Sequence, residues 1–129
     1  MARVIEEKIL DVFFSGDKKA SDYVLSIRDR VRKYLDGSTS YFLWGTEIVR
    51  KDCYGNIFLF PSSFTSYGGS TCPPVSQTTR SRLNAFVRKL LKTGGFCQKN
   101  WELYFGNSKV ETDSWYKLDR ENKRLVKEN

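Results

Sequence analysis

Arg80, Arg82, Arg88, Lys89 and Lys92 fall within the stretch Ser76–Lys92, SQTTRSRLNAFVRKLLK, with no carboxylate among them. Cations gathered this way can bind phosphate without a cofactor. A guanidinium does so through two parallel N–H donors, an ammonium as a point charge. Leu83, Phe86, Val87, Leu90 and Leu91 recur at three- and four-residue spacing through the same stretch, which predicts an amphipathic helix. Ser76, Thr78 and Thr79 stand at its start, where hydroxyls accept from unpaired backbone N–H groups. Gly94-Gly95 follows as a left-handed stop. An exposed helix N-terminus favours an anion by about 0.3–1 kcal/mol, and its N–H groups point at the ligand. Arg80, Arg82 and the three hydroxyls therefore make a candidate phosphate seat, extended along the helix by Arg88 and Lys89. The alternative is that the hydroxyls only cap the helix and the arginines face solvent.

Aromatic residues are interleaved with the basic segments: Tyr41, Trp44, Tyr54, Tyr67 and Trp101. In single-strand binders a base stacked on such a ring contributes about 1–3 kcal/mol. Trp44 and Tyr67 are the candidates for stacking, Tyr67 because it lies in a polar loop; the other use of such rings is to fill a small core.

Other chemistries find little support. The chain has no histidine, which removes the commonest general base and metal ligand. Acids are scattered, and there is no P-loop, dinucleotide fingerprint or nucleophile elbow. No catalytic activity, cofactor or metal site is expected. Cys53, Cys72 and Cys97 are odd in number and far apart, so neither a disulfide framework nor a zinc knuckle is expected.

The elements that must position these groups follow from periodicity. The 129 residues suit one domain, with a net charge of +7. Ile5, Ile9, Val12 and Phe13 predict a helix over Val4–Ser15. Val24, Ile27, Val31 and Leu35 predict a second over Ser21–Leu35, with Arg28, Arg30, Arg32 and Lys33 on its wet side, so residues 1–37 would be a helical hairpin. Tyr41–Arg50 and Ile57–Phe60 read as paired strands around a turn at Lys51–Asn56. A Ser-, Gly- and Pro-rich loop, 61–77, leads into the basic helix. Phe96–Phe105 and Lys109–Leu118 form a further pair, so 41–118 reads as hairpin, helix, hairpin, and 119–129 as a polar tail, frayed or a short surface helix. The expected fold is α+β: two N-terminal helices, a small antiparallel sheet of about four strands, and one basic helix between two hairpins. No stretch is apolar enough to span a bilayer, and the N-terminus lacks signal-peptide character. A cytoplasmic protein with no membrane partner is expected.

The order Thr46-x-Ile48, Gly55-Asn56-Ile57, a Gly/Ser loop, then Ser76-Gln77-Thr78-Thr79-Arg80-Ser81-Arg82-Leu83-Asn84 and a strand at Trp101 resembles a small bacteriophage-encoded module across residues 41–105. Its most specific part is S-x-T-T-x-x-R-L-N. The resemblance implies a phage or prophage origin, a non-housekeeping role and the host cytoplasm; it brings no activity with it. Two functions stay open. One is a nucleic-acid-binding protein contacting the backbone of single-stranded DNA or RNA through the basic helix. The other is a phage-encoded inhibitor that binds a host protein of a defence system. A homo-oligomeric component is a third, plainer use of the same chain.

Overall fold

The computed structural model describes residues 4–15, 20–63, 75–92, 94–100 and 102–128. The first helix forms as its periodicity predicts: α1, Val4–Phe13, buries Ile9 and Phe13, with Glu6 on the same side.

The second predicted helix is replaced by strands. Ser21–Val24 (β1) and Asp29–Lys33 (β2) pair antiparallel, Tyr23 opposite Val31. Three of the four residues on the helical stripe face water: Val24 is 63%, Ile27 91% and Leu35 85% exposed. The buried set is every second residue of β2, namely Asp29, Val31 and Lys33. Local chemistry favours this outcome. Tyr23, Val24 and Val31 suit a pleated surface. Ser26 Oγ accepts from the N–H groups of Arg28 (3.2 Å) and Asp29 (3.1 Å) and donates to Asp29 Oδ2 (2.6 Å). Such short-range bonds draw the backbone away from a helix. Lys33 runs inward, its Nζ donating to the carbonyl (2.9 Å) and the hydroxyl (2.7 Å) of Ser15.

The meander continues through β3 (Thr39–Leu43), β4 (Thr46–Lys51) and β5 (Ile57–Leu59). Tyr41–Arg50, expected as one strand, is two. Trp44 and Gly45 both take positive φ, 53° and 80°, and close a two-residue turn between paired Leu43 and Thr46. The turn at Lys51–Asn56 is as expected, with Asp52 Oδ1 accepting from the N–H groups of Tyr54 (3.0 Å) and Asn56 (2.9 Å). Further along the chain come α2 (Gln77–Leu91) and a small antiparallel sheet of β6 (Phe96–Lys99), β7 (Glu102–Phe105) and β8 (Ser108–Val110). The chain then returns to the large sheet. β9 (Tyr116–Asp119) pairs with β5, and β10 (Arg124–Lys127) forms the edge, giving the order β1-β2-β3-β4-β5-β9-β10.

The expected α+β architecture is thus overturned. Among the described residues the protein is mostly β, ten strands in a seven-stranded and a three-stranded sheet, with two helices. The described residues of 1–37 form one helix and a β-hairpin, and the polar tail carries an edge strand.

The helices cover one face of the large sheet. Phe86 of α2 packs its ring 4.9 Å from that of Phe13 and 5.7 Å from that of Tyr41. The register of β4 shifts opposite Tyr41 and Phe42, and this bulge lets both Ile48 and Val49 turn inward. Asn84 ties α2 to the small sheet, accepting from the Phe96 N–H (2.6 Å) and donating to the Phe96 carbonyl (3.1 Å). Gly95 passes so close that a Cβ would stand 2.7 Å from Asn84 Oδ1, and its φ of 139° already favours glycine.

Candidate functional site

The residues expected to seat a phosphate are mostly occupied with holding the fold. Ser76 is the N-cap of α2: its Oγ accepts from the Thr79 N–H (3.1 Å) and shares a hydrogen bond with Thr79 Oγ1 (2.9 Å). Thr79 is fully buried. Thr78 and Arg80 are half-buried; Arg88 and Lys89 are exposed in the last turn, about 12 Å along the axis from Arg80. The helix ends at Lys92, whose φ of 67° supplies the left-handed stop two residues before the glycines expected to do so. Tyr67 and Trp101 lie outside the described residues, as does Cys72.

Arg82 is the decisive departure. It is 1% exposed. Its Nε donates to Asp29 Oδ1 (2.9 Å), Nη2 to Asp29 Oδ2 (3.3 Å) and Nη1 to Glu6 Oε2 (2.9 Å). Tyr41 donates its hydroxyl to Asp29 Oδ1, and Ser81 Oγ donates to Glu6 Oε2 (2.5 Å). One guanidinium thus joins α1, β2 and α2, and it faces carboxylates rather than a ligand. Burial works against ionising Asp29, but hydrogen bonds from Arg82, Ser26 and Tyr41 outweigh it and hold the carboxyl below its usual range. Burial, reinforced by the bond to Asp29, pushes the Tyr41 phenol well above its usual value.

An acid dependence follows from Asp29. In the unfolded chain the carboxyl titrates near its ordinary value of about 3.9; in the folded protein it titrates lower, so the folded state binds fewer protons there. The stability it contributes is present above that ordinary value and is lost as pH falls through the lower, folded one. Denaturation midpoints are expected to hold from about pH 7 to 5 and to drop below about pH 4. Asp29→Asn is expected to flatten that drop, and an equally steep fall in the variant would refute the assignment to Asp29.

The cations that do face outward lie on the other side of the large sheet. Following strand partners across it gives a row Asp22, Arg32, Ser40, Arg50, Phe58, Lys117, Val126. A second row begins Val24, Arg30, Phe42, Glu47. Neighbouring strands are about 4.8 Å apart, so Arg32, Arg50 and Lys117 recur at roughly 10 Å, with Phe58 between the last two. Arg32 lies over the Phe42 ring at 5.5 Å and Arg50 over the Trp115 ring at 5.0 Å, as in cation–π pairs. Phe60 packs against the same indole, centroids 5.1 Å apart. Acids here are fewer than bases. Arg30 and Arg32 share the single carboxylate of Asp22, at 3.4 and 3.5 Å, and Glu47 pairs with Arg50 (3.1 Å). The half-exposed pairs of Asp22 hold their side chains only weakly; Glu47, 17% exposed, grips Arg50 through both of its carboxylate oxygens.

At the β1–β3 end this face is concave. A groove of about 420 Å³ is lined by Ser26, Arg28, Arg30, Arg32, Phe42 and Trp44, among others. Trp44 is therefore in a basic, aromatic setting, as the sequence suggested, but its cations come from β2 rather than from α2. The signal for them was legible: Arg28, Arg30 and Arg32 alternate, which is strand spacing. The same series fits the wet face of a helix as long as Asp29, between Arg28 and Arg30, and Lys33, after Arg32, count as surface residues.

Among the described residues no cluster of His, Cys, Asp or Glu is arranged to hold a metal, and no helix is long and apolar enough to cross a membrane. Cys53 is an exposed and Cys97 a half-buried free thiol. A family model described as Kyanoviridae Gp96 protein matches residues 2–123, well beyond the 41–105 over which the chain resembled a phage module. No curated protein and no solved structure matches the chain.

Proposed function

The chain belongs to the Kyanoviridae Gp96 protein family, a phage protein family, and we propose that it binds nucleic acid through the outer face of the seven-stranded sheet. Arg30, Arg32, Arg50 and Lys117 contact phosphates; Phe42 and Phe58 meet the sugars and bases between them. The observation that carries this reading is the strand register, which sets Arg30 beside Phe42 and Phe58 between Arg50 and Lys117 on the face opposite the helices. Rings accept any base, and phosphates carry no sequence information, so the mode is independent of sequence.

The test is a salt titration. Anisotropy of labelled DNA and RNA oligomers is expected to give a log–log slope of about −2 to −3, since each single-strand phosphate neutralised contributes about −0.7. Absence of binding at low ionic strength, or affinity indifferent to salt, would sink the proposal.

A further inference from the structure

We propose that the groove at the β1–β3 end holds one unpaired nucleotide, its base stacked on Trp44 and its phosphate between Arg28 and Arg30. The inference rests on the nucleic-acid reading above and names the substrate class: strands with bases free to leave the stack, not duplex.

The first observation is a backbone one. Trp44 occupies the first central position of a two-residue turn with φ of 53°, followed by Gly45 at 80°. Turns of this kind are built from Asn, Asp or Gly, because those residues accept a left-handed backbone with least strain. A bulky indole there is an outlier. Strain of this kind points to function where the fold has no use for the side chain, and Trp44 is 55% exposed.

The second is what surrounds it. The groove, about 420 Å³, falls within the range of small-ligand sites, 300–1,000 Å³. Arg30 and Arg32 have one carboxylate between them. The carboxylate nearest Arg28, that of Asp29 at 3.8 Å, already accepts from Arg82 and Ser26. Positive charge is therefore left over at the groove. Ile27, 91% exposed, and Val24, 63% exposed, border it with apolar surface that a base or sugar can cover. In a duplex the base edges are paired and the faces stacked, so Trp44 has nothing to receive.

The experiment compares wild type with Trp44→Asn, which places the favoured Asn-Gly pair in the turn. Three probes of equal length are used: a deoxythymidine oligomer, its fully abasic counterpart and a duplex. Trp44→Asn is expected to bind the deoxythymidine oligomer about 5- to 150-fold more weakly, the range for one stacked base. Its affinity for the abasic strand and the duplex is expected to be unchanged, and its resistance to denaturant equal or higher. Trp44→Phe, which keeps a ring, is expected to retain most of the affinity. Equal binding of the deoxythymidine oligomer by wild type and Trp44→Asn, with the salt dependence intact, would overturn the groove while leaving the sheet-face reading standing. Wild type that binds none of the probes would remove both.

Discussion

Arg82→Ala is expected to lower the unfolding free energy by about 3–5 kcal/mol, the cost of stripping one partner from a buried ion pair. For a chain of this size that is a fall in Tm of roughly 10–20 °C. Most of the loss comes from what is left behind. Asp29 and Glu6 are 1% and 4% exposed. Without the guanidinium Asp29 keeps hydrogen bonds from Tyr41 and Ser26, but no buried positive charge balances it. A triple variant separates charge from shape. Glu6→Gln, Asp29→Asn and Arg82→Met together leave no ion to desolvate, and are expected to recover much of the stability lost by Arg82→Ala alone. If the triple variant is as unstable as the single one, or if Arg82→Ala melts like wild type, the network is not what joins α1, β2 and α2.

Replacing Arg30, Arg32 and Arg50 together with glutamine is expected to weaken binding of a single-stranded oligomer about 100-fold. At roughly 0.1 M salt each phosphate contact contributes about 0.7 log units through counterion release, so three amount to about 2, or about 3 kcal/mol. The salt slope is expected to become shallower by about 2 units at the same time. All three side chains are half-exposed, at 47, 42 and 51%; the Asp22 pairs are surface pairs that contribute little to stability, and the loss expected in the denaturation midpoint comes from the bidentate Arg50–Glu47 pair. Arg88→Gln, Lys89→Gln and Lys92→Gln together, in the last turn and C-cap of α2, form the matched control, which removes three exposed cations away from the sheet register. Equal loss in both variants would show that net charge, not the sheet face, governs binding.

Several elements are legible in the amino-acid sequence alone. The apolar spacing of Ile5, Ile9 and Phe13, and of Leu83, Phe86, Val87 and Leu91, located both helices, because in each a continuous apolar stripe meets the core. The turn at Lys51–Asn56 is legible because its chemistry is local, Asp52 accepting from backbone N–H groups two and four residues on. Members of the S-x-T-T-x-x-R-L-N run serve the fold: Ser76 caps, Arg82 and Leu83 are core, and Asn84 clamps β6.

For the second expected helix, the misleading premise is that an apolar stripe marks the core and a charged residue the wet side; Val24, Ile27 and Leu35 face water. Asp29 and Lys33 broke it, and with them went the predicted second helix and the placement of the basic face. Nothing near them in the chain announces their burial. Asp29 meets Arg82 from 53 positions away, Glu6 meets Arg82 from 76, and Lys33 meets Ser15 from 18.

The amino-acid sequence by itself determined the two helices, the turn sites, the surplus of positive charge and the likeness to a phage module. Only the tertiary structure decided which arginines look outward. Periodicity reports sidedness through hydration, and a charge neutralised by a distant partner inside the protein no longer obeys it. Once Arg82 was drawn in by Asp29 and Glu6, the cations left in register were those of β2, β4 and β9, on the opposite side of the sheet.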